Sequence, residues 1–145
     1  MNTLTLKSRF DQKSNNSFYD FIIDGKSLFD ICDMEGSYRI GSLGWGVNSE
    51  HQKSLVRQFL NEEKNCELDS ERIMLFVCSE CGDIGCSGTT FKLIETDTEI
   101  IWKEFGDENN YEEDVDFSEY KNVGSLSFEK VEYKKVLIGY LNTIK

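Results

Sequence analysis

Three thiols in one short glycine-rich stretch carry the clearest chemical potential in this chain: Cys78, Cys81 and Cys86, interleaved with Gly82, Gly85 and Gly88. Cys78-x-x-Cys81 is half of a tetrahedral zinc site, and Cys86 supplies a third thiolate. Two glycines between Cys81 and Cys86 let the backbone curl as a metal knuckle requires. The fourth ligand has to come from Cys66, Asp83, His51 or water, because the second CxxC that completes such sites elsewhere is missing. A thioredoxin-like redox pair fits less well. That chemistry wants the CxxC at a helix N-terminus in a βαβ setting, whereas this pair leaves a strand and enters a hairpin. In a purely structural role the small cysteines pack under the glycines at a strand-end corner.

Acid–base and nucleophilic chemistry find less support. His51 is the only histidine, in the first turn of an expected helix, and no serine or cysteine nucleophile can be tied to it. Asp83, the group Glu95, Asp97 and Glu99, and the pair Glu112 and Glu113 are carboxylates without a second catalytic element. In a chain with 27 acids, solvated carboxylates are the ordinary outcome. No glycine loop followed by lysine cradles a phosphate, and no HExxH is present. An enzyme is therefore not expected.

The elements that must position these residues follow from periodicity. Residues 3–10 alternate as a half-buried strand, 11–16 form a turn, and 18–24 make the second strand of a hairpin ended by Gly25. Residues 26–34 fit a short helix capped by Ser27, with Cys32 as a small core residue. The glycine-rich 36–48 segment is a loop or irregular strand in which Gly44-Trp45-Gly46 either closes the core or offers Trp45 as an anchor for a partner. Ser49 caps a helix over about 50–63 with Leu55, Val56, Phe59 and Leu60 on one stripe. After a connector at 65–70, strands at 71–78, 88–95 and 99–104 form an antiparallel meander, with Thr96-Asp97-Thr98 as the tight turn. Residues 123–128 are extended. A final helix over 129–144, capped by Ser127, carries Tyr133, Val136, Leu137, Tyr140, Leu141 and Ile144 on one face. The expected fold is α+β, a single domain over 1–145: a mostly antiparallel sheet of about five or six strands with two main helices, the C-terminal one packed on one face.

Ten Phe, six Tyr and two Trp are enough aromatics to dominate a core. With no proline, every turn relies on Gly, Asn, Asp or Ser. The formal net charge of −11 disfavours nucleic acid, whose phosphates need Lys and Arg, and disfavours anionic membranes. It favours a basic protein partner, met quickly and in a salt-sensitive way. No apolar stretch approaches a membrane span and the N-terminus is too polar for a signal peptide, so a cytoplasmic location is expected. Five cysteines in that compartment do not suggest a disulfide framework. The acids concentrate in residues 104–120, EFGDENNYEEDVDFSEY, which contain eight acids and no Lys or Arg. Interleaved Tyr111, Val115, Phe117 and Tyr120 suggest a loop pinned to the body with its carboxylates outward.

The string Val77-Cys78-Ser79-Glu80-Cys81-Gly82-Asp83-Ile84-Gly85-Cys86, followed by Ile101-Trp102-Lys103-Glu104-Phe105-Gly106 and Glu108-Asn109-Asn110-Tyr111, resembles a family of small, uncharacterised bacterial proteins. These carry a VCxxCGDxGC turn, a WxxFGxxNNY segment and a closing helix. The likeness runs from about residue 75 to the C-terminus. It implies a common fold and transfers no activity. In size, acidity and single-domain layout the chain also resembles bacterial toxin-immunity proteins of the contact-dependent growth-inhibition type. That resemblance implies an inhibitor of a cognate, basic, nuclease-type toxin domain, with no cofactor and no chemistry of its own. Carboxylates would stand where nucleic-acid phosphates otherwise bind the toxin. The interface would comprise Asp107, Glu108, Tyr111, Glu112, Glu113, Asp114, Asp116 and Phe117, with Trp45 as a further anchor. The alternative is a small structural or adaptor domain holding zinc on Cys78, Cys81 and Cys86.

Overall fold

The computed structural model describes residues 1–45, 48–68, 70–80, 87–109 and 114–144. Among them the chain runs β1 (Leu4–Asp11), β2 (Asn16–Ile23), β3 (Lys26–Ser27), α1 (Leu28–Ile31), β4 (Arg39–Gly41), α2 (Ser49–Phe59), β5 (Ile73–Cys78), β6 (Gly88–Glu95), β7 (Glu99–Glu108), β8 (Leu126–Glu129) and α3 (Lys130–Leu141), with one 3-10 turn at Ser118–Tyr120. The fold is α+β. Its strands form two antiparallel sheets, one ordered β1-β2-β3 and the other β4-β5-β6-β7-β8. The meander expected at the centre of the chain is the middle of the larger sheet. The N-terminal hairpin does not extend it; it forms the smaller sheet.

The two sheets are closed on one another by aromatic rings. Trp102 on β7 is fully buried. Its ring lies 5.8 Å from Phe21 of β2, 5.7 Å from Phe59 of α2, 4.5 Å from Phe91 of β6 and 5.1 Å from Phe128 of β8. The polar end of the indole is also satisfied: Nε1 donates to Tyr133 Oη at 3.0 Å, and that hydroxyl donates to the Phe59 carbonyl at 2.7 Å. One relay thus joins β7, α3 and α2, and no polar atom of it is left unpaired in the core. Burial raises the Tyr133 phenol far above its ordinary range, so the hydroxyl stays neutral and able to donate. The Tyr133–Ile144 stripe faces inward as expected, and α3 packs against the smaller sheet as well as against α2.

Helix caps differ from expectation at two of three sites. Ser27 caps α1, its hydroxyl accepting from Asp30 N at 3.1 Å. At α2 the cap is Asn48, whose Oδ1 accepts from His51 N at 2.8 Å, so Ser49 is already helical. At α3 the cap is Glu129, whose carboxylate accepts from Val131 N and Glu132 N, while Ser127 belongs to β8. Both substitutes place an oxygen against the open N–H groups of the first turn, and Glu129 adds a favourable charge there. Helix α2 ends at Phe59, four residues before the expected stop, because Asn61 turns left-handed with φ +61° and closes it. Cys32 is half-buried against the core, and burial pushes its thiol up to about 12, consistent with a packing role.

Glu95, at the end of β6, ties both long helices to the sheet. It accepts from Asn61 Nδ2 at 3.0 Å and pairs with Lys130 Nζ at 3.0 Å and Lys134 Nζ at 3.1 Å. The Asn61 bond first, then the lysines, hold its carboxyl at about 2, below the ordinary 4.5. A lowered folded-state value means that the contribution is complete above the ordinary value and disappears as pH falls toward 2. Glu95→Gln is expected to cost about 1 kcal/mol near neutral pH, as a partly exposed ion-pair network should. In urea unfolding across pH, the gap between variant and parent should close as the solution is acidified. A gap that stayed constant down to the acid limit would assign the loss to packing and not to charge.

Candidate functional site

Four strand ends meet at one end of the larger sheet. The first residue of β4, Arg39, pairs with the last of β5, Cys78, and the first of β6, Gly88, pairs with the last of β7, Glu108. Both sequence features of interest, the cysteine stretch and the acidic segment, leave the sheet there. Cys78 is half-buried at this end. Cys81, Asp83 and Cys86 lie outside the described residues, as do Tyr111, Glu112 and Glu113. The other proposed zinc ligands are placed elsewhere. Cys66 and His51 line one cavity of about 140 Å³ together with Met74. Met74 is four residues before Cys78 on β5, a separation of about 13 Å along a strand. Among the described residues no group of three or more His, Cys, Asp or Glu could hold a metal ion.

Strand β7 is longer than expected. It continues through Glu104 to Glu108, so Asp107 and Glu108, read from sequence as outward loop carboxylates, are sheet residues. Because they are consecutive on a strand, they face opposite sides, and each meets an arginine. Asp107 Oδ1 accepts from Arg39 Nη1 at 2.5 Å and from Tyr120 Oη at 2.6 Å. Arg39 Nη1 also donates to Thr89 Oγ1 at 3.0 Å. Burial and the Asp107 carboxylate raise the Tyr120 phenol above its usual range, so it serves Asp107 as a donor. On the other side Glu108, 7% exposed, pairs with Arg72 Nε at 3.2 Å and accepts from Thr90 Oγ1 at 2.6 Å and Ser70 Oγ at 3.0 Å. Arg72 further donates to the Thr90 carbonyl at 3.1 Å and to the Glu104 carbonyl. Burial lowers the Arg72 pKa while Glu108 and Glu104 oppose that change. Asp107 and Glu108 are therefore scaffold, Glu108 buried with Arg72 and Asp107 half-buried with Arg39.

The remaining described acids of the segment do face outward. Asp114, Asp116 and Glu119 are exposed, and Phe117 is 43% exposed. They are not on a free loop. Asp107 N donates to the Asp116 carbonyl at 2.8 Å and Asp116 N to the Asp107 carbonyl at 2.9 Å, a short antiparallel bridge onto β7. Gly106 makes this docking possible: a Cβ there would stand 2.5 Å from Val115 Cγ1 and 3.0 Å from Phe117 Cδ1. Asp116 Oδ1 accepts from Ser118 N at 3.0 Å, which steadies the turn into the 3-10 segment, and the Ser118 side chain together with this N–H lowers the Asp116 carboxyl below its usual range.

Trp45 is half-buried and lies apart from the acidic segment. It lines a groove of about 300 Å³ with Tyr19, Gln52, Tyr140 and Ile144. The connector expected at 65–70 has no part in the acidic interface read from sequence. The Glu108–Ser70 bond, and the Arg72 guanidinium 5.4 Å from the centre of the Phe117 ring, place this connector directly beside the acidic segment. The only available signal was its composition, since residues 62–71 hold five acids against one lysine.

No protein-family model matches the chain, and no curated protein and no solved structure matches it.

Proposed function

We propose that this chain is a binding protein of the immunity type, which neutralises a basic, nuclease-type bacterial toxin domain by covering its nucleic-acid surface with carboxylates. The observation that carries this proposal is the outward row Asp114, Asp116, Phe117 and Glu119, fixed to β7 by the Asp107–Asp116 bridge in a chain of net charge −11. A fixed row of charges loses little freedom on binding. An exposed aromatic among them provides the anchor that charge alone does not. Asp107 and Glu108, named in the sequence reading as interface residues, take a supporting role in this mechanism, because their charges are already spent on Arg39 and Arg72. Tyr111, Glu112 and Glu113 belong to the same segment and extend the row in sequence.

The test is binding and growth protection with the product of the neighbouring gene, co-expressed with this chain. Parent protein should form a complex that weakens with salt, and the triple variant Asp114→Lys, Asp116→Lys, Glu119→Lys should bind about 100-fold more weakly, because like charges would then oppose a basic surface. A triple variant that bound and protected like the parent would remove this segment from the interface.

A further inference from the structure

Beside the acidic segment, a groove of about 390 Å³ opens between the end of α2, the connector and β7. Its volume is at the small end of ligand pockets, roughly 300–1,000 Å³. It is about the size needed by one long side chain and its surroundings. Gln58 lines it and is 7% exposed, and its Oε1 has no hydrogen-bond partner among the described residues. A buried acceptor without a donor is costly, and the cost is relieved by any donor that reaches it. The charged lining is half spent. Lys64 pairs with Glu71 at 3.4 Å and Arg72 with Glu108 at 3.2 Å. The charges outside these ion pairs are Glu63, whose Oε1 accepts from Ser54 Oγ at 2.7 Å, and Glu104, which also acts on Arg72, against Lys92, and Asp114, Asp116 and Glu119 lie on the neighbouring segment. Glu104 holds its place at a cost to the backbone: it adopts φ +55° where β6 and β7 shift register, a left-handed conformation that a side-chain-bearing residue enters only when its surroundings hold it there.

One unfilled acceptor and two carboxylates outside any ion pair around a cavity of this size call for a cation with several donors. From these observations we infer that the groove receives an arginine side chain of the partner, its guanidinium donating to the Gln58 side-chain oxygen Oε1 and to Glu104 or Glu63. This deepens the function proposed above and rests on it: the row 114–119 steers the basic partner, and the groove captures one of its arginines. A planar guanidinium has five N–H donors and suits such a divided set of acceptors better than a single ammonium.

The test titrates N-acetyl-arginine amide, and the neutral isostere N-acetyl-citrulline amide, into the isotope-labelled full chain at fixed ionic strength. With arginine, the Gln58 side-chain amide and the backbone amides of Ile73 and Leu93 should shift and saturate; with citrulline they should not. Glu63→Gln combined with Glu104→Gln should weaken the arginine titration about fivefold, as expected for removing partly exposed ion pairs, while leaving the rest of the spectrum folded. Gln58→Met, which keeps the volume and removes the acceptor, should weaken it as well. If arginine shifts only residues 114–119, the groove assignment is wrong and the acidic interface stands. If citrulline shifts the groove equally, or the double variant titrates like the parent, recognition of the guanidinium is refuted. If the neighbouring gene product binds the chain in the separate assay but no arginine response appears anywhere, the groove assignment alone fails.

Discussion

Glu108→Gln is expected to lower unfolding free energy by about 3–5 kcal/mol, the usual cost of leaving a buried charge without its partner. The substitution keeps shape and volume, so packing does not confound it. What it removes is the negative charge facing Arg72, whose side chain is 9% exposed. The Thr90 and Ser70 hydroxyls can still bond to the new amide, but one of its two oxygens becomes a donor aimed at groups that already donate. Against a total stability of about 5–15 kcal/mol such a loss is large, and a urea midpoint well below the parent's should report it. The double variant Glu108→Leu, Arg72→Met should recover most of the loss, because it leaves neither charge alone in the interior. If the single variant unfolded with the parent, water would have to reach Arg72, and β7 would not be held at its end as described.

The second large effect is expected at Trp102. Trp102→Ala should cost about 3–5 kcal/mol, as for other large aromatic deletions in a core. The indole touches rings from both sheets and from α2, so the resulting cavity cannot be filled by one neighbour moving. Trp102→Phe keeps one ring in the core but removes the Nε1 donor to Tyr133 together with part of the indole volume, so the loss should fall below that of the alanine variant, to about 2–3 kcal/mol. Chemical unfolding followed by circular dichroism measures both. In either variant Trp45 is the only remaining tryptophan, so its fluorescence reports whether the groove near Tyr140 melts together with the core. Equal losses for Ala and Phe would mean that the hydrogen bond, and not ring volume, dominates at this site.

The parts of the fold that were legible from sequence are those decided by local pattern. Alternation from Leu4 to Phe10 marked β1, the Thr96–Thr98 turn joined β6 to β7, and the Tyr133–Ile144 stripe marked α3. The misses share a physical cause, which is a partner far away in the chain. Asp107 and Glu108 read as loop acids because consecutive carboxylates are ordinarily solvated. Only Arg39 and Arg72, tens of residues upstream, make them strand residues, and nothing local announces those pairings. The same holds for the groove. Gln58 lies in a helix but off its apolar stripe, Glu71 read as the start of a strand and Glu104 as the start of a loop; they converge only when β5, β6 and β7 are laid side by side. The division into two sheets was hidden for a different reason, since a hairpin pattern does not state which edge it joins.

The contact that joins those two sheets has a consequence for the order of events during synthesis. Asn2 N donates to the Ser127 carbonyl at 2.7 Å, Ser127 N donates to Asn2 Oδ1 at 3.0 Å, and Asn2 bridges to Phe128 in parallel register. Asn2 is therefore fastened by a residue translated 125 positions later. The β1–β2 hairpin can pair as soon as it leaves the ribosome, because its contacts are local. Its two faces are covered at different times: Phe18 meets Phe29 of α1 early, whereas Phe21, on the other face, meets Phe59 of α2 and, only after more of the chain is made, Trp102 of β7. Domains that close late in this way expose apolar surface while the chain is incomplete. A chain stalled before residue 127 would lack β8 and α3, and with them the Phe128 and Tyr133 rings that complete the packing around Trp102. Completion of β8 and α3, and not the first collapse, would close the fold.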